Sequence, residues 1–194
     1  MTRTFIALEL DESLRRFLGN MIDRLARQLP GVRWVDPAGI HLTLAFLGEL
    51  SDAQLATAEQ ASGAAAKQSA PFELRLKDLG IFGSQRQPRV IWMGIEETSG
   101  NLSRLHGVLN RELEQRGFEV EARPFSPHLT LARIKQPLNP TEQQILQRLL
   151  ASKEFNTSSS QQYVQHVSVM KSELSRSGAR YTCLQAYSLS EKYT

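Results

Sequence analysis

A single cysteine, Cys183, is all the thiol this 194-residue chain possesses. It has no second sulfur for an internal disulfide and no companions for a thiolate-rich metal site, so it is expected to pack as a small apolar residue. No HExxH or CxxC spacing supplies a zinc site by another route. Long apolar runs are missing as well. The N-terminal stretch MTRTFIALELDES is broken by Glu9, Asp11 and Glu12, which leaves neither a signal-peptide core nor a membrane span; a cytoplasmic protein with no membrane partner is the expectation. Charge of one sign is scarce too. With 23 Lys and Arg against 20 Asp and Glu, the net charge of +3 suits a polyanionic partner without approaching the density of a nucleic-acid coat. What remains, 41% hydrophobic and 22% charged, is the composition of an ordinary folded domain. Nothing in it implies an obligate protein partner.

Apolar periodicity divides the chain into two similar runs. Residues 4–10 (TFIALEL) read as a strand, and Asp11 is placed to cap a helix that Pro30-Gly31 stops near residue 29. Leu14, Phe17, Leu18, Met21, Ile22 and Leu25 recur along it at helical spacing. HLTLAFLG, between Gly39 and Gly48, predicts a second strand; 52–67 a helix capped by Ser51 or Asp52; and FELRLKDLG a strand of strict alternation. Past a loop at 83–88, RVIWMGI predicts a strand, 101–116 an amphipathic helix with Leu102, Leu105, Leu109 and Leu113 inward, and HLTLARI another strand. A short helix after Pro140, a polar loop at FNTSSSQQ and strands over 163–172 and 180–189 complete the chain. Both halves read β-α-β-α-β, the second with one strand extra. The expectation is one two-lobed domain over 1–194, an internal duplication of about 1–85 and 86–194.

The pentapeptide HLTLA stands on the second strand of each half, at 41–45 and 128–132, and holds two of the four histidines. Alternate strand residues share a face, so His41, Thr43 and Ala45 point one way and Leu42, Leu44 and Phe46 the other; His128 and Thr130 likewise oppose Leu129 and Leu131. Each motif offers an imidazole and a hydroxyl about 7 Å apart along the strand, backed by leucines. One such strand would ordinarily be a half-buried histidine and nothing more. Packing, however, has no need of the same polar pair twice.

Two imidazoles and two hydroxyls in one cleft suit a phosphate ester. A neutral imidazole can take a proton from water while a protonated one gives a proton to the leaving oxygen, both near the ordinary histidine pKa of about 6.5. Threonine hydroxyls can donate to the non-bridging oxygens, where charge develops. The scheme needs no metal or other cofactor.

These residues carry a resemblance. Two HLTL strands, one per half, resemble the signature of the two-histidine phosphoesterase superfamily, and RTFIALEL, HLTLAFLGEL, GIFGSQRQPRVIWMGI, RPFSPHLTLARI and SELSRSGARYTCL are similar to the bacterial and archaeal RNA 2',3'-cyclic phosphodiesterases, or 2'-5' RNA ligases. The resemblance spans nearly the whole chain. It implies an α+β fold of two pseudo-symmetric lobes, with antiparallel sheets facing across a central cleft and helices outside. It implies metal-independent opening of RNA 2',3'-cyclic phosphate ends, or of nucleoside 2',3'-cyclic phosphates, to 2'-phosphomonoesters, with reverse 2'-5' joining. It also implies His41 as proton donor, His128 as proton acceptor, and Thr43 and Thr130 as phosphate ligands. A related reading keeps this machinery for 2'-5' oligonucleotides or small nucleotide cyclic phosphates. A third is an RNA-end binding protein without turnover, although binding alone would favour Arg or Lys over paired imidazoles.

Further contacts are open. Arg133 could reach a phosphate, but strict alternation turns it away from His128 unless the strand bulges. Phe46, its counterpart in the first motif, falls on the leucine face and is expected in the core. Phe125 and Trp34, in loops before the two motifs, could stack on a terminal base or plug the cleft wall. Arg86, Arg89, Arg176 and Arg180 could rim the site or simply be solvated. His106 reads as a boundary residue of its helix, and His166 carries no signal.

Overall fold

The computed structural model describes residues 1–152, 160–175 and 178–190; Arg176 and most of the FNTSSSQQ loop lie outside the described residues. In chain order the elements are β1 (Thr2–Glu9), α1 (Glu12–Gln28), β2 (Arg33–Trp34), a 3-10 turn (Pro37–Gly39), β3 (His41–Leu50), α2 (Asp52–Lys67), β4 (Phe72–Gly83), β5 (Pro88–Glu96), α3 (Asn101–Glu114), β6 (His128–Arg133), α4 (Pro140–Ala151), β7 (Gln161–Val164), β8 (His166–Ser175) and β9 (Gly178–Ser188). Local chemistry sets the helix starts. The Asp11 side chain accepts the Leu14 N–H at 2.8 Å, while Ser51 with Gln54 and Asn139 with Glu142 close reciprocal capping boxes on α2 and α4.

The strands join in one antiparallel array in the order β7-β4-β5-β6-β3-β1-β8-β9, with β2 added to β6. Outward from the β3–β6 seam, one wing runs β1, β8, β9 and the other β5, β4, β7. The two wings answer each other strand for strand. The halves 1–85 and 86–194 keep matching element order but do not each build a wing, because β4 crosses to pair with β5 while β8 crosses back to pair with β1. Helices cover the leucine side of the array. Leu14, Leu18 and Leu25 of α1 and Leu105, Leu109 and Leu113 of α3 join Leu8, Leu42, Leu129 and Leu131 of the strands in one continuous core.

Two expectations are corrected. The strand expected over 163–172 is two strands, parted at Gln165: β7 belongs to the β4 edge and β8 to the β1 side, so the chain must leave one wing before it enters the other. The Gln165 carbonyl at the break accepts the Leu189 N–H at 2.8 Å. Cys183 is exposed on β9, which is the edge strand of the array with no further strand beyond it among the described residues.

Candidate active site

The site is built at the seam. β3 and β6 pair at one residue, Leu42 with Leu129, and both leucines turn into the core. One antiparallel step to either side sets His41 across from Thr130 and Thr43 across from His128, on the face away from the leucines. All four side chains are half-buried. By that register each histidine lies across from the threonine of the other motif.

Both motif strands bulge at their second leucine. On β3 the pairs with β1 run Glu9–His41, Ala7–Thr43, then Ile6–Ala45 and Phe5–Phe46, leaving Leu44 without a partner. On β6 the pairs with β5 run Gly94–His128, Trp92–Thr130, then Ile91–Ala132 and Val90–Arg133, leaving Leu131 over. The extra residue reverses the alternation beyond it. Phe46 and Arg133 thus both come round to the histidine face. Arg133 is exposed there, and Phe46, expected in the core, is 76% exposed and lies 6.2 Å from the Phe5 ring.

The imidazoles are held alike. Nδ1 of His41 lies 2.7 Å from the Gly39 carbonyl oxygen, and Nδ1 of His128 lies 2.8 Å from that of Ser126. A carbonyl oxygen only accepts, so each Nδ1 carries the proton and each Nε2 is left for a reacting group. Aromatic rings fix the planes: Phe5 and Tyr181 lie 4.7 and 4.8 Å from His41, while Phe82 and Trp92 lie 4.8 and 6.3 Å from His128. Burial pushes the His41 pKa below 6.5, against the opposing pull of the Gly39 carbonyl and the Glu9 charge.

The loop aromatics are engaged elsewhere. Phe125 stacks on His106 of α3 with ring centroids 3.9 Å apart and planes 9° from parallel, so one of its faces is already covered. Trp34 pairs with Ala132 in the sheet and its Nε1–H points to the Leu29 carbonyl at 3.4 Å, which ties it to the end of α1. Arg86, Arg89 and Arg180 are exposed, Arg180 opposite Glu173 on the β8–β9 hairpin; His166 is exposed as well. Phe46 on the histidine face, and the rings of Phe5, Tyr181, Phe82 and Trp92 against the two histidines, are the site residues that the sequence reading missed. The signal for Phe46 lay in the matching positions of Phe46 and Arg133, which a shared bulge moves together. Among the described residues, no group of three or more His, Cys, Asp or Glu side chains is placed to hold a metal ion.

Similarity to known proteins runs the length of this arrangement. A family model described as LigT like Phosphoesterase matches residues 8–92 and 94–181, both motifs included. The RNA 2',3'-cyclic phosphodiesterase of Methanothermobacter thermautotrophicus is 33% identical over 189 residues, 96% of this chain and 98% of that protein. That of Aquifex aeolicus is 27% identical over 190 residues, 97% and 98% of the two chains. A crystal structure from Thermus thermophilus superposes with a TM-score of 0.80 at 31% identity, covering 96% and 97% of the two chains. E. coli LigT complexed with 3'-AMP gives 0.75 at 25%, covering 98% and 99%.

Proposed function

The chain belongs to the LigT-like phosphoesterase family, and from that premise we propose that it hydrolyses RNA 2',3'-cyclic phosphate ends to 2'-phosphomonoesters through His41 and His128. The observation that carries the reading is the paired Nδ1 anchoring, which leaves two Nε2 atoms free beside two threonines on facing strands. Neutral His128 accepts a proton from the attacking water. As the water oxygen bonds to phosphorus and the P–O3' bond breaks, His41, as imidazolium, gives its Nε2 proton to O3'. Thr43 and Thr130 donate to the non-bridging oxygens, and Arg133, exposed on the same face, adds positive charge near the phosphate. Each step uses side chains alone.

The same path with a 5'-hydroxyl in place of water forms a 2'-5' linkage, so joining is the slower partner of hydrolysis in water. Phe46 offers an exposed ring for the terminal base on the His41 side. Phe82, 38% exposed against His128, offers a second on the other side, which favours 2'-5' linked oligonucleotides as the alternative substrate. The matching order of elements in 1–85 and 86–194 supports an internal duplication whose third strands were exchanged. No helix among the described residues is long and apolar enough to cross a membrane.

The deciding experiment incubates purified protein with nucleoside 2',3'-cyclic monophosphates and a short RNA ending in the cyclic phosphate, in EDTA, and identifies the isomer formed. A 2'-phosphate, absent with His41→Ala and His128→Ala, is the expected product. A 3'-phosphate would reverse the assignment of the leaving oxygen, and RNA binding without turnover would leave an RNA-end binding protein.

A further inference from the structure

Acid–base catalysis needs the two histidines in different protonation states, and identical motifs with identical Nδ1 anchors do not supply the difference. The strands beside them differ. On β1, Glu9 stands directly opposite His41; on β5, the residue directly opposite His128 is Gly94. Opposed residues of an antiparallel pair share a face, so the carboxylate and the His41 imidazole lie on the same side of the sheet. Glu9 is held there: its Oε2 accepts from the buried Ser168 hydroxyl at 3.3 Å, and its backbone carbonyl accepts from Gln162 Nε2 at 2.8 Å.

We propose that Glu9 is a positioning residue whose carboxylate, set across from His41 on the neighbouring strand, favours the imidazolium form of His41 and so supports it as the proton donor. The inference rests on the two-histidine reading above. Burial of His41 works against its protonation, and the Glu9 charge and the Gly39 carbonyl work for it. The other titratable groups around the pair are His128 on β6, His166 on β8, Tyr181 and Cys183 on β9, and Asp11 at the head of α1. Asp11 is occupied as the cap of α1. A cavity of about 340 Å³ bounded by Glu9, Asp11, Gln162, His166 and Ser168 lets solvent reach the carboxylate, which limits the size of its effect.

The test compares pH profiles of kcat/KM on a nucleoside 2',3'-cyclic monophosphate for wild type, Glu9→Gln and Glu9→Asp, alongside NMR titration of the His41 ring. An acid must be protonated to act, so at alkaline pH the rate follows the protonated fraction of His41. Removing the carboxylate lowers the His41 pKa and so lowers the rate on the alkaline side, leaving in place the rate at low pH, where His41 is protonated in both proteins. At pH 8 this reads as a loss of roughly threefold to tenfold, with wild-type rates regained on lowering the pH. Glu9→Asp, which keeps the charge, recovers most of the shift.

A rate that rises at low pH and is unchanged at pH 8 would make His41 the base, and a profile that does not change would remove Glu9 from the mechanism; either overturns the proposal. A merely structural role would lower rates evenly across pH. If wild type turned over no cyclic phosphate, the two-histidine reading would fall by itself. The NMR titration still decides whether Glu9 sets the His41 pKa, and an unshifted ring in Glu9→Gln rejects that.

Discussion

Gly80 is where the site's geometry is most exposed to a small change. A Cβ added there would stand 2.2, 2.3 and 2.6 Å from Cζ2, Cη2 and Cε2 of Trp92. Ordinary carbon contacts begin near 3.5 Å, so the indole has to retreat by about 1.3 Å or more. Gly80 has no positive φ, so the constraint is space alone. Trp92 has little room: it packs against Phe82 and His128, stands opposite Thr130, and its Nε1 is buried without a hydrogen-bond partner among the described residues. Overpacking of this kind costs about 1–3 kcal/mol, offset in part by the ~0.5–1 kcal/mol that alanine gains over glycine in a strand. Gly80→Ala should therefore lose about 1–2 kcal/mol, a fall in Tm of roughly 2–8 °C for a chain of this length. Because the displaced ring bears on His128 and Thr130, cyclic phosphodiesterase activity should fall by roughly tenfold to a hundredfold. Urea unfolding and steady-state kinetics on Gly80→Ala, Trp92→Leu and the double variant form a cycle in which the smaller Leu should relieve the clash. A Gly80→Ala protein as stable as wild type, or a double variant that is only additive, would refute the packing argument.

Other outcomes follow from the same geometry. His41→Ala and His128→Ala should each lower kcat by about two to four powers of ten with substrate binding retained, and the double variant should be little worse than either single one; single-turnover kinetics with a binding isotherm measure this, and near-normal turnover in either single variant ends the mechanism. Thr130→Val keeps the shape and removes the donor, so kcat should drop about a hundredfold with Tm unchanged within a few degrees. Phe46→Ala, at a side chain 76% exposed, should leave Tm in place and raise KM for a nucleoside cyclic phosphate by about tenfold or more, the loss of one stacked base; an unchanged KM removes Phe46 from the binding surface. Activity should survive EDTA, and abolition by EDTA with recovery on adding zinc would end the metal-free scheme.

How much of this was legible depended on whether a feature follows the period-two rule. His41, Thr43, His128 and Thr130 lie before the bulges, so alternation alone puts them on one face and their leucines in the core. The helices were legible for the same kind of reason. The α2 boundaries match expectation because Ser51 and Gln54 cap a run of small residues, and Leu14, Leu18 and Leu25 mark the buried side of α1. Phe46 was misread and Arg133 left open because a one-residue bulge is a tertiary event: it depends on how β1 and β5 lie against the motif strands, which no residue in HLTLA announces. The break at Gln165 failed to show for a related reason, since residues 161–175 alternate well enough for one strand and only the exchange between wings divides them. Trp34 and Phe125 are near their histidines in sequence, yet one is tied to the end of α1 and the other stacks on α3. Glu9 carried no signal at all, because its tie to His41 exists only in the register of β1 on β3.

The two wings answer strand for strand, but a phosphodiester is not a symmetric substrate: water enters on one side and the 3'-oxygen leaves on the other. A strictly two-fold site would give both imidazoles the same affinity for a proton, and the productive arrangement, one charged and one neutral, would compete with its mirror image. On the proposal made above, the strand positions next to the motifs remove that degeneracy. Glu9 answers to Gly94, Ala7 to Trp92, and Phe46 to Arg133. The first pair bears on proton affinity, the second on the bulk beside each threonine, and the third sets an aromatic face on one side against a cation on the other. None of the three lies within the repeated pentapeptide. The shared motif holds two matching Nδ1 anchors, 2.7 and 2.8 Å from their carbonyls, and on that proposal the direction of reaction is left to residues outside it. Exchanging one such pair should change the polarity of the site without disturbing the anchors, which is why a pH profile, and not the bare loss of activity, separates the contribution of the scaffold from that of the histidines.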